Sequence, residues 1–121
     1  KNSWIKISLT GKKIKNNWKR LAKKYDLKIN VSGIDALPSF TLLYDNWIKY
    51  KTFITQEMLK KKILANNTIY VSVAHNEKVL SKYFYEFEKV IKKINFIDRK
   101  GLKIGNFLET NEISNSFKRL N

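Results

Sequence analysis

The stretch from Lys51 to His75, KTFITQEMLKKKILANNTIYVSVAH, constrains this chain most, because it joins an amphipathic helix, a polar corner and a buried strand without a break. Phe53, Ile54, Met58, Leu59 and Ile63 recur at steps of one and four, and Lys60, Lys61 and Lys62 crowd the far side. Such a stripe has to face a sheet. The triplet Asn66-Asn67-Thr68 predicts a turn, since short polar side chains tolerate left-handed backbone and bond to it locally. Ile69 to Val73 is then a short β-branched and aromatic run, the mark of an interior strand.

The rest of the chain can be placed against that unit. Trp4, Ile7, Gly11, Ile14, Trp18, Leu21, Ala22 and Tyr25 keep to spacings of three and four, which predicts one long helix from about Ser3 to Tyr25. Both tryptophans fall on its apolar stripe and are expected in the core. Gly11 inside it costs about 1 kcal/mol relative to alanine, so it marks either close packing or a bend. Leu27 to Val31 alternates as a half-buried strand does, and Ser32-Gly33 turns the chain. Leu37 to Tyr44 supplies a second strand, with Pro38 near its start, where a missing donor is tolerated. The two are close enough in sequence to pair antiparallel. Asp45-Asn46 offers a cap before Trp47, an alternative start for the central helix some turns ahead of Thr52.

Beyond the strand at Ile69 to Val73, Asn76 is a good N-cap and Glu77 puts a negative charge in the first turn of a helix expected to reach Ile94. From Asn95 the periodicity fades, and residues 95–121, with Gly101 and Gly105, read as an extended tail. The order α-β-β-α-β-α plus tail predicts an α+β fold: a single domain over residues 1–121, built as a two-layer sandwich with three amphipathic helices on a small, mainly antiparallel sheet.

Composition narrows the chemistry. With no cysteine there is no disulfide, thiolate metal site or cysteine nucleophile, and a single histidine, His75, cannot build a multi-histidine zinc site. The four glycines never cluster into a phosphate-binding loop. The ten carboxylates are scattered among lysines, with no pair expected to share an apolar pocket. Ser72 and His75 are expected in structural roles at the strand and its junction with the next helix. No apolar run approaches the roughly 20 residues that span a bilayer, so no membrane partner is expected and a cytoplasmic protein is.

The formal charge of +15 invites a nucleic-acid reading. Against it, only Arg20, Arg99 and Arg119 among the 25 basic residues carry the guanidinium that suits phosphate and base recognition, and the lysines are spread over every predicted helix surface. A basic nucleic-acid-binding module is therefore the alternative, not the leading reading.

The central stretch also carries a resemblance. T-x-x-T-Q-E-M-L-K-K-x-I-L-A, from Thr52 to Ala65, followed by a corner and Y-V-S-x-A-H, from Tyr70 to His75, resembles the C-terminal small domain of class III pyridoxal-phosphate-dependent aminotransferases. The branch it looks most like is that of glutamate-1-semialdehyde 2,1-aminomutase. G-x-x-I-x-x-x-W-x-x-L-A (Gly11 to Ala22) looks like the helix leading into that domain, and Ser116 to Asn121 like its usual chain end, while Lys93 to Asn115 matches poorly.

The resemblance implies that the Schiff-base lysine, the carboxylate facing the pyridinium nitrogen and the phosphate-binding groups belong to a large domain preceding these residues. This chain would bind no cofactor and catalyse nothing alone. It would dock on that large domain within a homodimer and form one wall of the substrate cavity. The positions the resemblance assigns to that wall are Pro38, Ser39 and Phe40, where a strand end turns toward the cofactor, and Asn67. The aminomutase resembles a glutamate-bearing turn at Asn67, so a neutral amide there fits an aminotransferase better. An apolar docking face exposed around Trp4, Trp47 or the tail is expected with it.

Overall fold

A computed structural model describes residues 2–63, 65, 67–69, 71 and 76–109. Its elements run in the order α1 (Asn2–Lys24), β1 (Ile29–Ser32), β2 (Ser39–Leu42), α2 (Trp47–Lys60), α3 (Glu77–Arg99) and a 3-10 turn (Ile104–Phe107). The α+β class expected from the sequence is what forms.

β1 and β2 pair antiparallel, with Ile29 opposite Leu42 and Ser32 opposite Ser39. Alternation then sorts the faces: Phe40 and Leu42 are buried with Ile29 and Val31 half-buried beside them, while Asn30, Ser32, Ser39 and Thr41 point the other way. The helices cover the apolar face. α1 lies against β1 and α2 against β2, and α3 packs on both helices. At the centre Phe40 is fully buried, with Trp18 at 4.7 Å, Phe87 at 5.7 Å and Trp47 at 5.9 Å between ring centroids. Each such side chain contributes about 1.5–3 kcal/mol by leaving water. The Trp18 indole N–H donates to the Tyr83 hydroxyl at 2.9 Å, so the one polar atom the ring carries into the core is satisfied.

All three helices end the same way. At the end of α1, Leu27 N–H bonds to Ala22 C=O and Asp26 N–H to Lys23 C=O; at α2, Ile63 N–H bonds to Met58 C=O and Lys62 N–H to Leu59 C=O; at α3, Leu102 N–H bonds to Ile97 C=O and Gly101 N–H to Asp98 C=O. These are Schellman caps, each with a left-handed residue at its hinge: Asp26 (φ 53), Lys62 (φ 61) and Gly101 (φ 67). At the helix starts, Asn76 accepts from the Val79 N–H at 3.0 Å, as its position suggests, whereas Asn46 precedes α2 without a side-chain bond.

Several expectations are corrected. α2 starts at Trp47, the earlier of the two alternatives, and ends at Lys60, so Ile63 lies in the cap and Leu59 is exposed. The helix expected to stop at Ile94 continues to Arg99, because Ile97 extends its buried stripe. Residues 95–109 are therefore not an extended tail: helix, cap and 3-10 turn fold back so that Ile104 is buried, and residues 110–121 lie outside the described set. Trp4 is not core but 71% exposed.

The strand expected over Ile69 to Val73 is not an element of the described sheet, which has two strands, so the described order is α-β-β-α-α; that segment, with Thr68 before it, is held by one bridge and two backbone bonds. Thr68 forms an antiparallel bridge with Ser39, and Ile69 N–H and Val71 N–H bond to the carbonyls of Pro38 and Ala36 at 3.1 and 3.0 Å. Asn66, Tyr70, and residues 72–75 with Ser72 and His75, lie outside the described residues.

Candidate functional site

The four residues assigned to a cavity wall come from two segments 27 residues apart, Pro38 to Phe40 and Asn67, and the structure brings them together. Phe40 N–H donates to Asn67 C=O at 2.9 Å, and the Asn67 side-chain amide donates to Phe40 C=O at 3.1 Å, a reciprocal clamp between β2 and the incoming segment. The Ser39 and Thr68 hydroxyls bond at 2.9 Å on the face away from the helices. Pro38 and Phe40 are buried, so what they offer to that face is backbone; Ser39, Asn67 and Thr68 are half-buried and offer side chains.

The loop that leads into β2 is fixed by its contacts. Gly33 has φ +87, a region costly for other residues, and Gly11 of α1 lies so close to the loop that a Cβ there would be 1.8 Å from the Asp35 carbonyl oxygen. Close packing, not a bend, is the reason for that glycine. The Asp35 carboxylate accepts from Ser8 Oγ at 2.9 Å, with Lys15 at 3.3 Å and Lys12 at 3.9 Å. The Ser8 hydrogen bond, with those two ammonium groups, holds its pKa below the usual aspartate value. Trp4, Ile7, Ile34 and Ala36 border a shallow apolar cavity of about 290 Å³ beside the Ser8–Asp35 contact. Trp4 and Ile34 are 71% and 70% exposed, so an apolar patch stands at the loop that leads into β2.

A second polar cluster lies between α2 and α3, and sequence reasoning missed it. Glu57 is buried, and its carboxylate binds Lys93 Nζ at 2.6 Å, Lys60 Nζ at 2.9 Å and Gln56 Nε2 at 3.1 Å. Burial alone would raise its pKa. The hydrogen bonds from Lys93, Lys60 and Gln56 together outweigh that and take it down to about 2. Gln56 also straps the segment at the 3-10 turn, donating to Phe107 C=O and accepting from Glu109 N–H. The only available signal was Gln56-Glu57 on the inner side of an amphipathic helix, and nothing local names lysines from elsewhere as partners. Among the described residues no group of His, Cys, Asp and Glu could hold a metal ion. Nor is any described helix long and apolar enough to cross a membrane.

Taken together, the described residues define an α+β domain whose small sheet presents hydroxyl and amide groups on the face opposite its helices. No protein-family model matches the chain, and no curated protein matches its sequence. A solved structure does share its fold: the FumI protein of Sphingopyxis sp. MTA144 in its PLP internal aldimine form, with a TM-score of 0.69 at 11% identity. The likeness covers 88% of this chain and 26% of that one, so the chain spans about a quarter of that protein's length.

Proposed function

We propose that this chain is the small domain of a pyridoxal-phosphate-dependent enzyme of the class III aminotransferase kind, docked on a large domain that carries the cofactor. The observation that carries the reading is the fold likeness: nearly all of this chain corresponds to about a quarter of a structure that holds PLP as an internal aldimine. The ordered motif from Thr52 to Ala65 supports the same reading independently.

The described residues do not themselves fit the cofactor. A Schiff base needs a lysine in a dry pocket and a carboxylate free to face the pyridinium nitrogen. Among the described residues no lysine is buried, and Glu57, the buried carboxylate, is already bound by two lysines and an amide. In this proposal the aldehyde chemistry belongs wholly to the large domain. This chain's part is to close one side of the cavity with Ser39 and Asn67, held by the Phe40 clamp, in a cytoplasmic homodimer. The neutral Asn67 amide favours aminotransferase over aminomutase within the branch related to glutamate-1-semialdehyde 2,1-aminomutase. The patch around Trp4 and Ile34 is then where the large domain sits.

The test is to purify the natural product of the gene encoding this sequence and measure its mass and visible absorption. A polypeptide several times this length, with a Schiff-base band that shifts when an amino donor is added, is the expected result. A colourless product of these residues alone that takes up no pyridoxal phosphate would sink the proposal. In the whole enzyme, Asn67→Ala is expected to change the kcat/KM ratio between amino donors; a lower melting temperature with that ratio intact would leave Asn67 as a strand clamp only.

A further inference from the structure

α3 has an outer face that neither the core nor the proposed cavity wall uses. Tyr85, Lys89, Lys92, Phe96, Arg99 and Lys100 follow one another at steps of four, three, four, three and one, so they share one stripe, and all six are exposed. Lys89 sits over the Tyr85 ring at 4.4 Å and Lys100 over the Phe96 ring at 5.7 Å. Beside the lower half of this stripe, α2, α3 and the 3-10 turn enclose a groove of about 490 Å³. Its floor is apolar, with Phe53 and Ile97 buried. Its two walls are Phe96 and Phe107, 56% and 40% exposed.

The charges around the groove are unequally shared. At one end Lys60 and Lys93 are held by Glu57, and Lys60 also by Glu109. Glu86 holds Lys89, and Asp98 accepts from Tyr50. That leaves Lys92, Arg99 and Lys100, around a second hollow that shares Phe96 with the first, without an acidic partner among the described residues. An exposed aromatic pair over an apolar floor, bordered on one side by three uncompensated cations, complements a ligand with an apolar group followed by negative charge.

We propose that this groove docks an acidic segment of a partner protein. One apolar side chain of the segment enters between Phe96 and Phe107, and its carboxylates meet Lys92, Arg99 and Lys100. A nucleic acid suits the groove less well, because it carries a phosphate at every nucleotide, including where Glu57 and Glu109 line the groove, whereas a peptide can confine its carboxylates to the side of Lys92, Arg99 and Lys100. The inference stands on α3 and its neighbours, and not on the pyridoxal reading.

The probe is a short fluorescein-labelled peptide carrying one Phe among Glu and Ser residues, titrated into the full chain and followed by fluorescence anisotropy. Saturable, salt-sensitive binding is expected, weakened at least roughly tenfold, the equivalent of about 1.4 kcal/mol, by Phe96→Ala or by replacing the peptide's Phe with Ala. Lys92→Glu with Lys100→Glu should abolish it, and Lys6→Glu on α1 should leave it unchanged. Phe96 is largely exposed, so its truncation leaves the core intact, and far-ultraviolet circular dichroism checks this. Absence of binding, or binding indifferent to Phe96, overturns the proposal. So does tighter capture of a single-stranded oligothymidylate through the same residues, which makes the face a nucleic-acid site. Binding that emerges only after removal of residues 110–121 overturns it as well, by assigning the groove to the chain's own end.

Discussion

The two halves of α1 have similar apolar content and opposite fates. Ile14, Trp18, Leu21 and Ala22 in the second half are buried at 5% exposure or less, whereas Trp4, Ile5 and Leu9 in the first are all more than half exposed. Gly11 lies between the two sets, pressed against the Asp35 carbonyl. Toward the N-terminus the helix is tied to the sheet's loop by the Ser8–Asp35 hydrogen bond; past Gly11, Lys12 and Lys15 reach the same carboxylate, and the packing of Trp18 on Phe40, with its bond to Tyr83, adds an aromatic tie. Helical periodicity decides which residues share a face, but whether anything covers that face depends on what the rest of the chain can reach. In the proposed function the uncovered half is the part another domain covers.

The largest expected effect separates the two tryptophans. Trp18→Ala should cost about 3–5 kcal/mol in urea unfolding of the chain, since it empties the centre of the core. Trp4→Ala should stay within about 0.5 kcal/mol, as a surface change does. Comparable losses would erase the contrast.

Next in size is Gly11→Ala, which drives a methyl group into the loop backbone and should cost about 2 kcal/mol. A neutral result would mean that helix and loop part easily and that the boundary lies elsewhere.

A smaller effect follows from acid. The Asp35 pKa is lowered on folding, so its contribution is complete above its unfolded value of 3.8 and is lost as pH falls through the lower folded value. Amide exchange in the first half of α1 should therefore quicken in that window before exchange around Trp18 does, and Ser8→Ala should move the onset to higher pH. Simultaneous loosening of both halves would contradict aromatic packing as what holds the second half.

The smallest effect tests the far end. Glu88 binds Lys24 at 2.7 Å and accepts from the Tyr25 hydroxyl at 2.7 Å, yet Glu88 is only half-buried and Lys24 is exposed, so Glu88→Gln should cost less than about 1 kcal/mol. A larger loss would show that electrostatics, and not packing alone, fixes the second half of the helix.

Much of the fold was legible because local chemistry and final structure agree. α1, the β1–β2 hairpin, the Asn76 cap and the buried stripe of α3 follow from spacing and residue type. The helix ends were less legible. Gly101 announces a left-handed hinge, but Asp26 and Lys62 adopt the same conformation with side chains that give little sign of it, so α2 read as running on to Ile63. The turn back after Arg99 was missed for a similar reason: Ile97 and Ile104 are single apolar residues in a polar stretch, and their burial comes from what lies opposite them.

The candidate sites divide in the same way. Pro38, Ser39, Phe40 and Asn67 could be singled out by resemblance, yet their mutual clamp is a tertiary contact. Glu57 was passed over because its partner Lys93 lies 36 residues away on another helix.

By itself, then, the sequence determined the element types, the apolar stripes and the absence of thiol chemistry, because these depend on residue type and on neighbours within a few positions. Only the tertiary structure decided that Trp18 is core while Trp4 is not, that Gly11 is a contact point, that Glu57 is ionised inside the protein and that Phe96 borders a groove. Each of these rests on a distance between residues remote in sequence, and burial, close approach and charge pairing are properties of those distances.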